Sequence, residues 1–304
     1  MAGINQEIWT DILVKELTAL EQGAFLADIP DQSRFVTSAK RNTNDVIHLV
    51  DVGAKPEVHT NFIPNPIGYA QRNDGDIPIQ LDTHVTVATQ ITVEETEHIA
   101  YDKVKDVQDD HKVAIAERKQ TKAAHVLTPA SDSAQTRIIT TSGDNDGTDR
   151  KRFTPKDLLD LKTIYDDKKV PLSNRTLVLS SQHYNDLLFW CVNKDKSTNH
   201  LAMDEAGMLK QRLESFKIFI FIDVPLINVS TLTRRSYGAQ AQAGDLPASF
   251  AFNPKDAFKA NGRTWNITDP IDTQTHSTKY NVRHNSIVSP KKLRGLAGVV
   301  SATI

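Results

Sequence analysis

From Ile77 to Val93 an apolar or β-branched side chain stands at every odd position: Ile77, Ile79, Leu81, Thr83, Val85, Val87, Thr89, Ile91 and Val93. The even positions are mostly polar, among them Gln80, Asp82, His84, Thr86, Gln90 and Thr92. Alternation with a period of two marks an extended strand whose two faces meet different surroundings. At about 3.3 Å per residue the run would reach roughly 55 Å, whereas ordinary strands have about 5–6 residues. That overshoots the core a chain of 304 residues can build, so part of the strand is expected to project.

A partner lies upstream. Residues 45–62 carry Val46, Ile47, Leu49, Val50, Val52, Val58 and Phe62, and turn-forming residues (Pro64, Pro66, Gly68, Asn73-Asp74-Gly75) separate the two runs. The pattern predicts a long antiparallel hairpin with its tip near residues 64–76. A lone two-stranded ribbon is marginal in water, so its apolar face calls for a second surface. Residues 1–44 read as an arm. Ile8, Trp9, Ile12, Leu13 and Leu17 fall on one face of a short helix, which needs cover from the chain's own core or from a neighbour.

Downstream, residues 94–126 read as a long helix, with Val107, His111, Ala114, Ile115 and Arg118 at helical spacing. Glu94, Glu95 and Glu97 near its start and Arg118, Lys119 and Lys122 near its end suit the helix dipole. Residues 128–152 read as a polar loop. Thr154-Pro155-Lys156-Asp157 opens a second helix with a cap, a proline at the first turn and an acid three residues on. A short strand is expected from Arg175 to Leu179 and a helix from Ser181 to Val192. A further helix is expected over 204–213. The nearly all-apolar Phe216–Ile222 reads as a central strand covered on both faces. Asn253-Pro254 caps a last short helix, and strands return near 264–267, 279–288 and 296–302. The class is α+β, in mixed order.

Catalytic and ligand motifs are missing. There is no Gly-x-Ser-x-Gly elbow, no Gly-x-Gly-x-x-Gly and no phosphate-binding Gly-Lys-Ser/Thr loop. Ser142, Asp144 and Asp146 fall on calcium-loop positions if Gly147 is the sixth, but the twelfth is Phe153 where a glutamate is required. His98, His111 and His125 are too far apart in sequence to ligate side by side on a helix, and the histidines read as satisfied surface residues. The one cysteine, Cys191, sits in an apolar run and reads as a buried thiol. No catalytic residue, cofactor or metal is expected. The formal net charge of −2 gives no global pull towards nucleic acid or membrane, and no run resembles a signal peptide or a membrane span. The chain therefore reads as made in the cytoplasm. After Asp272 there is no acid, while Lys279, Arg283, Lys291, Lys292 and Arg294 follow.

Apolar-faced arm, long hairpin, long helix, polar loop and α/β half, in that order, resemble the major capsid proteins of tailed bacteriophages, with their Hong Kong 97-like fold. Phe153-Thr154-Pro155-Lys156-Asp157-Leu158-Leu159-Asp160 and Val170-Pro171-Leu172-Ser173-Asn174-Arg175-Thr176-Leu177-Val178-Leu179-Ser180 are similar to stretches those proteins carry. So is the tail from Asp269-Pro270 through Gly295-Leu296-Ala297-Gly298-Val299-Val300. The resemblance implies an N-terminal arm (1–44), an extended hairpin loop (45–93), a peripheral domain with a spine helix (94–175), an axial domain (176–270) and strands returning to the peripheral domain (271–304). It implies an icosahedral shell of hexamers and pentamers around double-stranded DNA, in a virion assembled in a host. Portal and decoration proteins are expected partners. With no long helical segment before the arm, scaffolding is expected from a separate protein.

On this reading Trp9, Leu13, Pro64, Tyr69, Val85 and Val87 are the expected inter-subunit contacts. Lys291, Lys292 and Arg294 are expected at an interface or on the inner surface, in nonspecific contact with DNA. Two rivals remain open: an encapsulin-like nanocompartment shell, and a hydrolase with a non-standard site.

Overall fold

A computed structural model describes residues 25–37, 45–51, 58, 60–61, 75–92, 103–193, 212–269, 272 and 274–303. In chain order the first half holds β1 (Val36–Thr37), β2 (Val46–Asp51), β3 (Gly75–Gln80), β4 (Asp82–Val85), β5 (Thr89–Thr92), α1 (Lys103–Leu127), β6 (Arg137–Thr140), α2 (Pro155–Asp167), β7 (Arg175–Leu179) and α3 (Ser181–Asn193). The second half is β-rich: β8 (Arg212–Leu213), β9 (Phe216–Ile220), β10 (Leu226–Asn228), β11 (Thr233–Arg234), β12 (Asp245–Pro247), β13 (Ser249–Phe252), β14 (Ala257–Thr268), β15 (Ser277–Pro290) and β16 (Leu296–Val300). Its class is the expected mixture of helices and sheets.

A six-stranded mixed sheet, in the order β6-β16-β13-β7-β9-β8, forms one core. Period-two alternation splits its side chains between two helical layers. Leu177, Leu179, Ala251, Ala297 and Val299 meet Leu158, Leu161 and Tyr165 of α2 and Leu187 and Cys191 of α3. On the opposite side Val178, Phe250, Phe252 and Leu296 meet Ala123, Ala124 and Leu127 of α1, with Phe25, Leu26 and Ile29 wedged alongside. The end of the expected arm thus belongs to the chain's own core. Two expected features recur here. Thr154 donates from N and Oγ1 to Asp157 Oδ2, at 2.8 and 2.9 Å, at the start of α2. Arg175 is fully buried and binds Asp166 Oδ1 and the Val170 carbonyl, both at 2.6 Å, tying the strand to the end of that helix.

The second sheet is built on two long antiparallel strands, β14 and β15, with β4 and β5 pairing in succession along the free edge of β15. α1 lies across one face, burying Val107 and Ile115 against Ile91, Tyr280 and Val282. The other face carries Ile47, Leu81, Phe258, Ala260 and Ile287. The hairpin base is present: β2 and β3 pair antiparallel from Val46↔Gln80 to Asp51↔Gly75. The proposed tip, with Pro64 and Tyr69, lies outside the described residues, as do Trp9 and Leu13.

Four expectations need correction. The 77–93 run is not one projecting strand: β4 and β5 are held by the chain's own β15, and only β3 pairs with β2. The loop over 128–152 contains β6, whose Ile138 is buried because β6 pairs in parallel with β16. Phe216–Ile222 is covered on both faces only in part: Phe216 and Ile218 pack on the α2–α3 side and Phe219 and Phe221 on the α1 side, but the strand is not central and its end is open. β9 is flanked on one side by the two-residue β8, and Ile220 and Ile222 are 47% and 82% exposed. The strands buried along their whole length on both faces are β7, β13 and β16. Within the expected 204–213 helix, Arg212–Leu213 forms β8, and residues 204–211 lie outside the described set.

Candidate inter-subunit surfaces

The alternation in 77–92 conceals a bulge, and the bulge creates the most exposed apolar side chain on this strand. Val85 pairs with Arg283 and Thr89 with Tyr280, so four steps along this strand match three along β15. One extra residue reverses the facing of everything after it. Leu81 therefore points to the face away from α1, whereas Ile91, with the same parity, points onto α1. Thr86 causes the break. Its N donates to the Val282 carbonyl at 3.0 Å, its Oγ1 accepts from Val282 N at 2.9 Å, and Oγ1 also meets His111 Nδ1 at 2.7 Å. The other ring nitrogen of His111 meets Thr89 Oγ1 at 3.0 Å. The bulge is pinned to the helix on both sides, and Val87 between the pins is left 89% exposed.

Val85 lies on the face away from α1 and is 58% exposed. Its cross-strand neighbour Arg283 is paired in turn with Trp265. The Arg283 and Arg263 guanidinium carbons lie 4.9 and 5.2 Å from the Trp265 ring centre, within cation–π range. Ile267 is also exposed here. An apolar, aromatic and cationic face of this kind suits a protein partner better than bulk water.

The joint that carries the hairpin is built on Asp45, which the sequence reading passed over. Asp45 is fully buried. Its carboxylate accepts from Arg263 N at 2.9 Å, Asn285 Nδ2 at 3.0 Å and Arg263 Nε at 3.0 Å, and its carbonyl accepts from Leu81 N at 2.9 Å. Burial pushes its pKa up, but the hydrogen bonds from Arg263 and Asn285 outweigh this and hold it below the ordinary carboxylate value. Gly262 makes the approach feasible: a Cβ there would stand 2.5 Å from Asp45 Oδ2.

Lys291, Lys292 and Arg294 cluster at the exposed turn after β15. The N–H groups of Lys291 and Lys292 donate to the Asp256 carbonyl at 2.7 and 3.1 Å, and Arg294 Nε lies 3.6 Å from Asp256 Oδ2. Burial lowers the Lys291 pKa. Arg294 is thus partly neutralised, and the two lysines carry most of the free charge at this corner.

The hydrolase rival meets a serine–histidine arrangement of the wrong kind. His183 Nδ1 and Nε2 lie 2.7 and 2.9 Å from Ser249 Oγ and Ser301 Oγ, and all three residues are buried. Burial lowers the His183 pKa to about 4. Beside it Arg150 clasps Asp186 with bonds of 2.7 and 2.9 Å, and Asp186 also accepts from Phe153 N at 3.0 Å. Both imidazole nitrogens are occupied and no substrate can reach them, so the network joins α3, β13 and the residues just after β16. His111, His183 and His284 are all buried, which corrects the expectation of surface histidines. Cys191 is buried and its thiol pKa is raised by burial. Among the described residues no helix is long and apolar enough to cross a membrane, and no group of three or more His, Cys, Asp or Glu could hold a metal.

No family model matches the sequence, and no curated protein does. Solved structures do match. The capsid of Ralstonia phage GP4 aligns with a TM-score of 0.61 at 11% identity, covering 91% of this chain and 87% of that one. The capsid of the cyanophage P-SCSP1u aligns with a TM-score of 0.59 at 14% identity, over 91% and 87%. A virus-like particle from Pyrococcus furiosus aligns with a TM-score of 0.55 at 8% identity, over 97% and 99%. At these identities the likeness concerns the fold, and the fold is the Hong Kong 97-like capsid fold.

Proposed function

We propose that this chain is a shell-forming subunit, the major capsid protein of a tailed phage, which assembles with copies of itself around double-stranded DNA. The observation that carries the reading is alignment with a phage capsid chain over 91% of this chain. The open apolar positions Val85 and Val87 support it. In this reading residues 1–44 are the arm, 45–93 the extended loop, 94–175 the peripheral part and 176–270 the axial part, with 271–304 returning. β6 and β16 are assigned to the axial sheet they complete. Trp9, Leu13, Pro64, Tyr69, Val85 and Val87 contact neighbouring subunits, and Lys291, Lys292 and Arg294 face an interface or the interior. The role is structural rather than enzymatic, in the virion, after synthesis in the host cytoplasm. Scaffolding, portal and decoration proteins are the further partners it implies.

A nanocompartment shell is the second reading, favoured by the coverage of the Pyrococcus furiosus particle but with a lower TM-score than the Ralstonia phage capsid. Electron microscopy of the purified chain, alone and with a scaffolding protein, tests both. Closed particles of uniform diameter are expected. Small soluble species under every condition would overturn the shell reading, and particles that select a protein cargo instead of nucleic acid would favour the compartment.

A further inference from the structure

A groove of ≈740 Å³ runs between α1 and the β4–β5 strand, and one end of it is cationic. Arg118 and Lys122 of α1 line that end with His84 of β4 and Tyr237. The two basic residues are four apart, so they share a face of the helix one turn apart, about 6 Å along the axis. Neither makes an ion pair among the described residues. Lys122 Nζ instead lies 4.7 Å from the centre of the Tyr237 ring, whose edge meets His125. The Tyr237 hydroxyl oxygen is shielded from solvent and has no hydrogen-bond partner among the described residues. A buried hydroxyl left unpaired is unfavourable unless something else fills the role.

The carboxylates lining the groove are Asp82 and Asp110. Asp110 stands two helical turns before Arg118, about 12 Å away along the axis. Asp82 lies beside His84, whose pKa is lowered first by burial and then by Lys119, Lys122 and Arg118, against an opposing pull from Asp82. That end of the groove therefore holds two cations without an ion pair among the described residues, with the Asp82 carboxylate near them on β4. A second groove shares Arg118, Tyr237 and Gly238 as lining and adds His125, Arg235 and the carboxylate of Asp223, so Arg118 is reached from two directions.

We propose that the Arg118–Lys122–Tyr237 end of this groove binds the phosphodiester backbone of nucleic acid, without sequence readout. Arg118 and Lys122 each take a backbone phosphate, and the Tyr237 ring, 4.7 Å from Lys122 Nζ, holds that ammonium in place. Their separation of about 6 Å along the helix is of the order of the through-space distance between neighbouring phosphates on one strand. A groove open along its length admits a polymer, and the contacts address only phosphate and leave base edges unread. The inference rests on the shell reading for the source of the ligand, the packaged duplex. It places the main phosphate contact on the long helix and not at the Lys291–Arg294 corner.

The test is fluorescence anisotropy of a labelled random-sequence duplex, titrated with purified chain across a series of salt concentrations. Electron microscopy of every variant runs in parallel. In Arg118→Gln/Lys122→Gln the slope of log affinity against log salt should fall by about 1.8, about 0.9 for each lost phosphate contact, and affinity at low salt should drop at least about tenfold. Arg118→Lys/Lys122→Arg should retain the slope. Tyr237→Ala should weaken binding a few-fold with the slope unchanged, and Tyr237→Phe, which keeps the ring, should leave both unchanged. Lys291→Ser/Lys292→Ser/Arg294→Ser should change the slope less than the helix pair does. An unchanged slope in the double glutamine variant overturns the proposal. So does loss of particles with duplex binding intact, because the groove would then be an inter-subunit contact with an acidic segment. If the unaltered chain forms no particles yet binds duplex through Arg118 and Lys122, the shell reading fails and the site stands.

Discussion

Val87 tests whether the bulge beside α1 faces another subunit. It is 89% exposed because Thr86, next to it, turns its side chain to Val282 and His111. In the isolated subunit, Val87→Ser or Val87→Asp alters a surface position and should change unfolding stability by no more than about 0.5 kcal/mol. On the proposed reading the same side chain is covered in a shell. Burial of a valine contributes about 1.5 kcal/mol at the low end, so Val87→Ser should weaken each contact by about tenfold. Val87→Asp also forces an ionised carboxylate out of water, at several kcal/mol, and should abolish assembly at accessible concentrations. Val85→Asp should be milder, because the new carboxylate would stand opposite Arg283. Circular dichroism and urea unfolding report the subunit, and light scattering with electron microscopy gives the critical concentration for assembly. Val87→Asp particles at the unaltered chain's critical concentration would refute the reasoning. An unfolded Val87→Asp subunit would refute it differently, by showing that the bulge belongs to the core.

Three further outcomes are expected. Asp186→Ala should cost about 1–3 kcal/mol in urea unfolding of the subunit, because it removes the buried acceptor of Phe153 N and of two Arg150 bonds and leaves Arg150 only its pair with Asp146; a loss below about 0.5 kcal/mol would contradict the network described. His183 and His284 have folded pKa values lowered to about 4 and about 3 from 6.5, so the unfolded chain binds more protons and stability falls as pH drops below 6.5. Each should account for about 2 kcal/mol of loss at pH 5, and His183→Gln or His284→Gln should flatten the profile between pH 6.5 and 5; an unchanged slope in both would refute this. Gly262→Ala should destabilise the hairpin joint by about 1–3 kcal/mol, since its Cβ would meet Asp45 Oδ2 at 2.5 Å and Leu81 Cδ2 at 2.9 Å; hydrogen exchange over residues 45–51 and 75–85 would show the loosening.

Much of the local order was legible in the residues themselves. Thr154-Pro155-Lys156-Asp157 set the start of α2, Asn253-Pro254 a short helical turn over Pro254–Asp256, and the Arg175 strand its place after α2, because caps, prolines and short-range hydrogen bonds act within a few residues. The antiparallel pairing of β2 with β3 was legible as two alternating runs around turn-forming residues. Residues 77–92 show where such reading stops. Period-two alternation records that a backbone is extended, but not which strand it pairs with or whether a bulge reverses its faces. Those depend on β15, nearly two hundred residues away, and on His111 pinning Thr86. Phe216–Ile222 was misjudged for a related reason: apolar composition permits burial, while position in the sheet decides it, and β9 lies next to an edge. The Asp45 joint, the Arg150–Asp186 clasp and the Arg118–Lys122–Tyr237 groove join residues far apart in the chain. No local pattern marks them, because only the folded chain brings such charges together and removes the water between them.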